Sequence, residues 1–467
     1  MANGLKKKFG TMDMTKKSPL GLLLLFSLPM LVGNVFQQLY NLADMIIVGR
    51  VLGKDALAAV GATGSVTFLF FALCNGIGSG GGVITSQFFG QGDEVKVKKC
   101  IANTGYIMIV FPTLIGILAF ALARPILTFL KTDPLVLEES INYMRIICLG
   151  IVFVSLYNYA SSMLRALGDS LTPFIFLFIS CIINIGLDIY FVYYLKLGVS
   201  GAAYATVIAQ ILSGLGCLIF ALCSNYYFKF KKEDLKVDKK IIVSVVKLGI
   251  PMSLQFALIA ISCMALQRVV NSFGPIAMAA FAATGRIEQL VHQPYQTLGA
   301  ALSTYTGQNY GAGEHKRIFD GYKIALVIML IFSLIMLPVM QFCGESIMSW
   351  FVTEEDGIEV IVMGAKALRI SSLFYVFLGT IYVIRGVLNG LGDAVFALIN
   401  GFVEVLGRFT VPILLTGIST IGVWGIWWSV GIVWFVSGLT AYLRYAYFSK
   451  RLKVKPSEYE AISKTEP

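Results

Sequence analysis

Residues 85–93 read Thr-Ser-Gln-Phe-Phe-Gly-Gln-Gly-Asp, and residues 306–314 repeat that pattern as Thr-Gly-Gln-Asn-Tyr-Gly-Ala-Gly-Glu. Four other segments recur in the same order: residues 27–30 as 249–252, 58–63 as 279–284, 167–169 as 391–393, and 198–201 as 422–425. The offset between the copies drifts only from 221 to 224 residues, which chance explains poorly. An internal repeat carried on apolar segments predicts a transporter built from two pseudo-symmetric halves.

The composition predicts a polytopic helical membrane protein. The 467-residue chain is 57% hydrophobic and only 13% charged, which is about half the charge of a soluble domain. Crossing the hydrocarbon core takes roughly 20 apolar residues. About twelve segments meet that criterion: 20–48, 57–84, 101–123, 139–163, 172–195, 200–225, 244–271, 277–304, 320–342, 359–386, 395–418 and 423–448. The predicted fold class is therefore all-α, with about twelve transmembrane helices in two six-helix bundles.

Positive charges gather in alternate connections between the predicted spans. Lysines and arginines precede the first span, fill the central link at 229–240, and follow the last span. A connection of the opposite set, residues 354–356, is acidic instead. This bias predicts a multi-pass protein of the plasma (inner) membrane with both termini in the cytoplasm. The basic residues behind the net charge of +11 are then predicted to interact with the lipid bilayer. No nucleic-acid partner is predicted.

The repeat also predicts the domain limits. They are an N-terminal six-helix bundle with a cation site at 1–230, a cytoplasmic linker at 231–243, a C-terminal six-helix bundle at 244–450 and a cytoplasmic tail at 451–467. An even number of spans returns each half to its starting side, so the repeats have parallel topology. Four prolines inside spans predict kinks or local openings: Pro29, Pro173, Pro251 and Pro412. Bent helices in two bundles suit a transporter that alternates between two conformations, and a monomer is expected.

Two segments resemble nucleotide-binding motifs in their residues, but the surrounding sequence does not fit such a site. Residues 76–81 fit Gly-x-Gly-x-x-Gly, yet they lie inside a span with no strand before them. Residues 49–55 resemble a P-loop, but the glycine spacing is one residue short, and Asp55 stands where a Ser or Thr must contact magnesium. The sequence has no paired-acid metal motif, no His-x-x-x-His and no evident nucleophile with a base. Neither an enzyme nor a cofactor is predicted, so uphill transport must be driven by an ion gradient.

Two acids lie inside the apolar spans of the first half, without counterparts in the second. Asp44 is in the first span and Asp188 in the fifth, and their repeat positions hold Ala265 and Pro412. An ionised carboxylate inside a span costs roughly 2.5–3.5 kcal/mol. The asymmetry favours function, because a structural device would more readily appear in both halves. The structural alternative is that Asp44 caps a helix end and Asp188 bonds to the backbone at a kink.

Polar neighbours extend these acids into a predicted cation site of Asp44, Asn184, Asp188 and Thr206. Asn184 precedes Asp188 by four residues, so the two share a helix face about 6 Å apart along the axis. The sixth span begins on the outer side, which puts Thr206 at a similar depth. Oxygen ligands of these types suit Na⁺, the only metal predicted at Asp44 and Asp188. The same acids can instead exchange protons, and the sequence does not choose between Na⁺ and H⁺.

Weaker candidates for substrate contact or gating are six polar residues: Gln37, Asn41, Glu288, His292, Glu404 and Arg408. Glu404 and Arg408 are one helical turn apart, which predicts an intrahelical ion pair. Glu288 and His292 repeat that spacing. A Glu–His pair in a membrane can relay protons, whereas a single buried histidine is more often a packing residue.

Five features together are similar to one transporter family. They are Asp44-Met-Ile-Ile-Val-Gly-Arg50, Gln87-Phe-Phe-Gly90 with Gln308-Asn-Tyr-Gly311, the paired Leu-Gly-Asp loops, Asn184 to Asp188, and Arg408-x-x-x-Pro412 before Gly422-Val-Trp-Gly-Ile-Trp-Trp428. Over residues 18–450 the chain resembles the multidrug and toxic compound extrusion (MATE) family of drug:cation antiporters. The resemblance implies a V-shaped pair of six-helix bundles, a central cavity, and a cation site on Asp44, Asn184, Asp188 and Thr206. Some members also have an acid in the seventh helix, where this chain has Gln255 and no acid across 254–264.

The predicted function is secondary antiport: export of amphipathic, often cationic, drugs or toxic metabolites in exchange for Na⁺ or H⁺. A flippase for lipid-linked saccharides or other amphipathic lipids is the main alternative, since that related class also uses a two-bundle cavity. A large anionic headgroup calls for several cavity arginines, and only Arg408, with Arg268 or Arg286, is expected to lie deep enough. A receptor or scaffold would leave the internal repeat unexplained.

Overall fold

The computed structural model describes residues 11–130, 132–352 and 357–452, which are helical and contain no strand. The α-helices of this part of the chain are α1 (Pro19–Leu52), α2 (Lys54–Gly90), α3 (Glu94–Phe129), α4 (Pro134–Ala166), α5 (Leu171–Asp188), α6 (Gly198–Ser224), α7 (Lys239–Asn271), α8 (Pro275–Gly311), α9 (His315–Met348), α10 (Ile358–Ser372), α11 (Tyr375–Leu391), α12 (Ala394–Thr416) and α13 (Gly425–Leu452). The acidic connection at 354–356, the basic residues before 11 and the predicted tail beyond 452 lie outside the described residues.

The lengths and hydropathies of these helices match a polytopic membrane protein. Within the described ranges, ten helices are long and apolar enough to cross a membrane, and the bent pair α10 and α11 would make an eleventh span. The predicted span at 277–304 lies in α8, which has 37 residues. Its Arg286, Glu288 and His292 make α8 more polar than the other long helices. The all-α polytopic class is confirmed, although α8 does not meet the apolar criterion.

The predicted span at 359–386 is not one straight helix. α10 and α11 meet at an angle of 53°. At the break the N–H groups of Leu373 and Phe374 bond back only three residues, to Ile370 and Ser371, which is the tighter 3₁₀ pattern. The kink expected at Pro173 is also wrong. Pro173 is the third residue of α5, where an N–H has no intrahelical partner in any case.

Matching glycines show that the two repeats fold alike. Four pairs adopt positive φ: Gly53 and Gly274 (88° and 86°), Gly92 and Gly313 (74° and 75°), Gly168 and Gly392 (86° and 82°), and Gly198 and Gly422 (63° and 54°). Each pair lies at equivalent connections between helices, where other residues would be strained. The aspartates after Gly168 and Gly392 also act alike. Each accepts a bond from an N–H in the first turn of the next helix. The pseudo-symmetry is confirmed.

Compact packing divides the described residues into two units. The first unit holds Leu24–Ala260 with the described residues up to Lys16, and the second holds Lys17–Leu23 with the described residues from Ile261. In the first unit α4 packs against α2, α3 and α6. In the second unit α8 packs against α11, and α12 packs against α13. The domain limits given above stay a prediction.

Two contacts tie the middle of the chain to the first unit. α2 and the first part of α7 cross closely: a Cβ on Gly76 would lie 2.2 Å from Ser253 N, and one on Gly80 would lie 2.7 Å from Gly249 N. The segment at 229–238 is held along α3 by side-chain bonds to its carbonyls. These run from Lys98 Nζ to Lys229 O (2.8 Å), from Asn103 Nδ2 to Lys236 O (3.2 Å) and from the Tyr106 hydroxyl to Leu235 O (2.7 Å).

Candidate functional site

Asp188 occupies the junction between two kinds of helix. α5 ends at Asp188, and a π-helical turn follows at Ile189–Tyr194. Within that turn the N–H of Leu195 bonds back five residues to Tyr190 O at 2.9 Å. Single π-helical turns are uncommon and occur often at functional sites. The Asp188 side chain is fully buried, with 0% exposure.

Asp44 of α1 meets Asp188 inside the first unit. Asp44 is partly exposed, and the two carboxyl groups interact directly. The Oδ1 atom of each acid is buried without a hydrogen-bond partner. Two ionised carboxylates in contact repel each other, so the pair is compatible with a shared proton or with a cation between them. Either species is a positive charge.

Asn184 and Thr206 join the same group. In the amide orientation that satisfies both of its polar atoms, Asn184 donates to Asp188 Oδ2 at 3.1 Å and accepts from the Thr206 N–H at 3.3 Å. Asn184 is 2% exposed. α5 and α6 are therefore linked beside the carboxyl pair. The structure brings Asp44, Asn184 and Asp188 together, and Thr206 joins them through its main-chain N–H, while the role of all four stays a prediction.

Two tyrosines near the acids were missed by the sequence analysis. The phenol groups of Tyr40 and Tyr143 both interact electrostatically with Asp44 and Asp188. A phenol can donate to a carboxylate or offer its oxygen to a cation. Tyr40 precedes Asp44 by four residues, so its position on the same helix face was predictable. Tyr143 comes from α4, and nothing local in the sequence indicated it.

The other two candidates on α1 are more open. Gln37 is partly exposed and Asn41 is exposed. Gln37 lies seven residues before Asp44 and Asn41 three residues before it, so both share roughly the face of α1 that carries the acid. Their role in substrate contact or gating is untested.

In the second unit, Glu404 and Arg408 form the predicted ion pair but do not form it alone. Arg408 Nη2 lies 3.7 Å from Glu404 Oε2. Arg385 of α11 approaches the other oxygen, Glu404 Oε1, at 2.9 Å. Arg385 is buried, whereas Arg268 and Arg286 are exposed. The sequence analysis did not include Arg385 among the deep arginines, and the depth expected for Arg268 and Arg286 stays a prediction.

Glu288 and His292 lie near this ion-pair network. The His292 ring makes an edge contact with Trp434, with centroids 5.5 Å apart. Glu288 lies beside Ser371, which precedes the break between α10 and α11. Glu288 Oε1 and His292 Nε2 are buried without hydrogen-bond partners. Among the described residues, no three His, Cys, Asp or Glu side chains are grouped to hold a metal ion.

Comparison with known proteins relates the whole chain to transporters. The MatE family model matches residues 29–190 and 251–419, one match in each repeat. The probable multidrug resistance protein YoeA of Bacillus subtilis is 28% identical over 438 residues, covering 92% of this chain and 94% of that protein. The multidrug export protein MepA of Staphylococcus haemolyticus is 24% identical over 405 residues, covering 87% and 88%.

A solved structure shares the fold. It is that of a MOP superfamily transporter from Pyrococcus furiosus, which superposes with a TM-score of 0.90 at 22% identity. The superposition covers 96% of this chain and 100% of that one. At this level of identity the likeness concerns the fold.

Proposed function

Because the chain belongs to the MatE family of multidrug efflux transporters, we propose that it exports amphipathic, often cationic, compounds in exchange for inward Na⁺ or H⁺. The observation that carries the proposal is the pair Asp44 and Asp188, whose carboxyl groups interact directly inside the first unit. Each acid keeps one buried oxygen without a partner. Two acids buried together in a membrane are energetically costly unless a positive ion binds to them.

The coupling cation binds in the first unit at Asp44, Asn184, Asp188 and Thr206. Its arrival removes the repulsion between the two acids and draws α1 toward α5. Pro29 lies inside α1, where its missing N–H weakens the helix. α1 therefore bends or reseats near Pro29, and the drug site becomes less favourable. Each ligand shifts the conformational equilibrium only by its difference in affinity for the two states.

The wider setting follows from the charge pattern. The protein is a multi-pass protein of the plasma membrane and holds both termini and the central link in the cytoplasm, and we expect it to act as a monomer. It acts as a transporter and not as an enzyme. It needs no cofactor, and its partners are the bilayer, the exported compound and the exchanged ion.

A lipid-linked saccharide flippase is the weaker alternative. It would need arginines free to bind an anionic headgroup. Of the arginines considered, the two least exposed, Arg385 and Arg408, are both engaged by Glu404. Export of cationic compounds agrees better with this charge arrangement.

The test is efflux of a fluorescent organic cation from proteoliposomes, with Na⁺ and pH gradients imposed separately. Asp44→Asn should leave folded protein in the membrane and abolish efflux under whichever gradient drives the wild type. Asp55→Asn is the matched control, because Asp55 is an exposed acid in the first turn of α2 and should transport normally. Full efflux by Asp44→Asn would contradict the proposed role of the pair.

A further inference from the structure

A cleft opens in the second unit at the end of α7 that lies farthest from the central link. It lies between residues 273–277, 358–366 and 423–424, and we call it the α10 cleft, because α10 supplies more of its lining than any other helix. Its volume of about 720 Å³ falls within the range of sites for small organic ligands, roughly 300–1,000 Å³. The wall is largely apolar and open, with Ile358 69% and Val362 52% exposed. The cleft can therefore accept an apolar chain from the surrounding bilayer.

One of the two cations on α10 has no counter-charge. Arg369 is paired with Glu345 at 3.1 Å and donates to the carbonyl of Gln341 at 3.0 Å. Lys366 instead lines the α10 cleft and is exposed. In the part of the chain that the structure describes, no acid lies within ion-pair distance of Lys366. A lysine exposed on a span is costly unless its ammonium reaches water or an anion, so an anion is the ligand that the cleft would favour.

Trp424 holds the Lys366 side chain against the wall of the cleft. Lys366 Nζ lies 3.9 Å from the centroid of the Trp424 ring. That ring packs in turn on Trp427, with centroids 5.7 Å apart, and Trp427 is only 2% exposed. An aromatic face attracts an ammonium group through its quadrupole but carries no net charge to neutralise it. The ammonium of Lys366 is therefore held in place and still available to an anion.

A charge of the opposite sign lies nearer the membrane surface on the same wall. Glu359 also lines the α10 cleft and belongs to the first turn of α10. It precedes Lys366 by seven residues, so the two share a helix face about 10 Å apart along the axis. Beyond Lys366, Ile370 and Leu373 line a second hollow that also reaches Lys366. From the surface inward, the wall thus offers an anion, a cation and then apolar side chains.

We propose that the α10 cleft binds a phospholipid with an ethanolamine headgroup. The phosphate pairs with Lys366, the primary ammonium group donates to the carboxylate of Glu359, and the acyl chains lie along the apolar wall. A phosphatidylglycerol would bring no cation to Glu359, and the quaternary nitrogen of a phosphatidylcholine has no N–H to donate. The inference goes beyond the proposed export and does not depend on which compound or ion the protein moves.

The experiment measures lipid binding to full-length protein purified in detergent, by native mass spectrometry. The probes are phosphatidylethanolamine, phosphatidylcholine and phosphatidylglycerol with identical acyl chains. The first phosphatidylethanolamine should bind the wild type about fivefold more tightly than either other lipid, since one ion pair contributes up to about 1 kcal/mol. Lys366→Gln should weaken its binding about fivefold, and Lys366→Arg should retain most of it. Glu359→Gln should bind phosphatidylethanolamine and phosphatidylcholine equally.

Lys323→Gln is the matched control. Lys323 and Lys366 are each the ninth residue of their helix, α9 and α10, and both are exposed. Lys323 lines neither hollow, so its variant should bind phosphatidylethanolamine like the wild type. Thermal unfolding in detergent checks that each variant is folded.

Three outcomes would overturn the proposal. The first is equal binding of the three lipids to the wild type, which would mean that Lys366 only rests on Trp424. The second is tighter binding of phosphatidylglycerol than of phosphatidylethanolamine, which would remove Glu359 from the site. The third is an equal loss of binding in Lys366→Gln and Lys323→Gln, which would show a general effect of surface charge.

Discussion

Asp44 and Asp188 differ in how exposed they are, although their carboxyl groups interact directly. Asp188 is fully buried at the end of α5 and is held by Asn184. Asp44 is partly exposed on α1. Under the proposed function, we therefore expect an exchanging cation to reach Asp44 first and Asp188 to complete its coordination. We then expect neutralisation of Asp188 to lower the affinity for the enclosed ion and neutralisation of Asp44 to remove the point of entry.

Tyr143 should tune the affinity for the coupling ion. A Tyr143→Phe variant loses a phenol that interacts electrostatically with both acids, and we expect this loss to be comparable to that of one hydrogen bond, about 0.5–1.5 kcal/mol. The ion concentration for half-maximal efflux should rise about two- to tenfold, measured in proteoliposomes against the driving ion. Tyr159→Phe, also on α4, loses a bond to Ile101 O at 2.8 Å. It should reduce thermal stability without moving that concentration. An unchanged ion dependence in Tyr143→Phe would exclude Tyr143 from the site.

The residues that sequence analysis found and missed differ in their chemistry. The importance of Asp44 and Asp188 was predictable, because an acid in an apolar span is energetically costly and usually marks a functional site. Tyr143 was not, since an aromatic residue in a span is usually a packing residue. Arg385 was missed because its partner Glu404 is 19 residues away on another helix. Pairs of this kind are set by tertiary packing, which no local spacing encodes.

At the scale of elements, the glycines of α2 differ in whether another helix packs against them. Gly76 and Gly80 lie against the backbone of α7, whereas Gly61 and Gly64 have no atom within 4 Å of a built Cβ. All four belong to one helix of 37 residues. Small residues at a helix crossing allow close approach in a membrane, and this explains only the first two.

Gly80→Ala should therefore destabilise the first unit. The added methyl would lie 2.7 Å from Gly249 N, and overpacking of this kind costs about 1–3 kcal/mol. Gly64→Ala is the matched variant and should be neutral or slightly stabilising, because alanine favours helix by up to about 1 kcal/mol. Thermal unfolding of the purified proteins in detergent compares the two. Equal melting temperatures would contradict the close crossing.

The elements themselves were largely predictable, because long apolar runs and paired glycine turns are local signals. The break between α10 and α11 was not. Residues 373 and 374 are Leu and Phe, and neither proline nor glycine marks the site. The interruption lies next to Ser371, which neighbours Glu288 of α8, and these two residues are distant in sequence.

At the scale of the molecule, the lysine-rich link is a fixed part of the first unit. Asn103 bonds to two main-chain groups of the link, accepting from Asp238 N at 2.9 Å and donating to Lys236 O at 3.2 Å. Lys98 is buried and lies 4.2 Å from the Tyr226 ring. The link therefore moves with α3 and does not act as a loose tether.

Asn103→Ala should release this segment. Trypsin cuts after lysine, and the link carries Lys229, Lys231, Lys232 and Lys236, so limited proteolysis reports on its attachment. Cleavage should be slow in the wild type and several times faster in the variant. Asn271→Ala, an exposed change at the end of α7, should digest like the wild type. Equal rates in all three proteins would show that Asn103 does not hold the link.

The first part of α7 belongs to the first unit, and residues 17–23 belong to the second. Each unit thus contains a stretch of polypeptide encoded in the other half of the gene. An N-terminal fragment ending within the link would lack the part of α7 that packs against Gly76 and Gly80 of α2. The complementary C-terminal fragment would lack the carbonyl of Lys17 that accepts a hydrogen bond from Arg317. Neither piece is complete alone, so the two halves should regain a native fold only when they are made together and exchange these stretches.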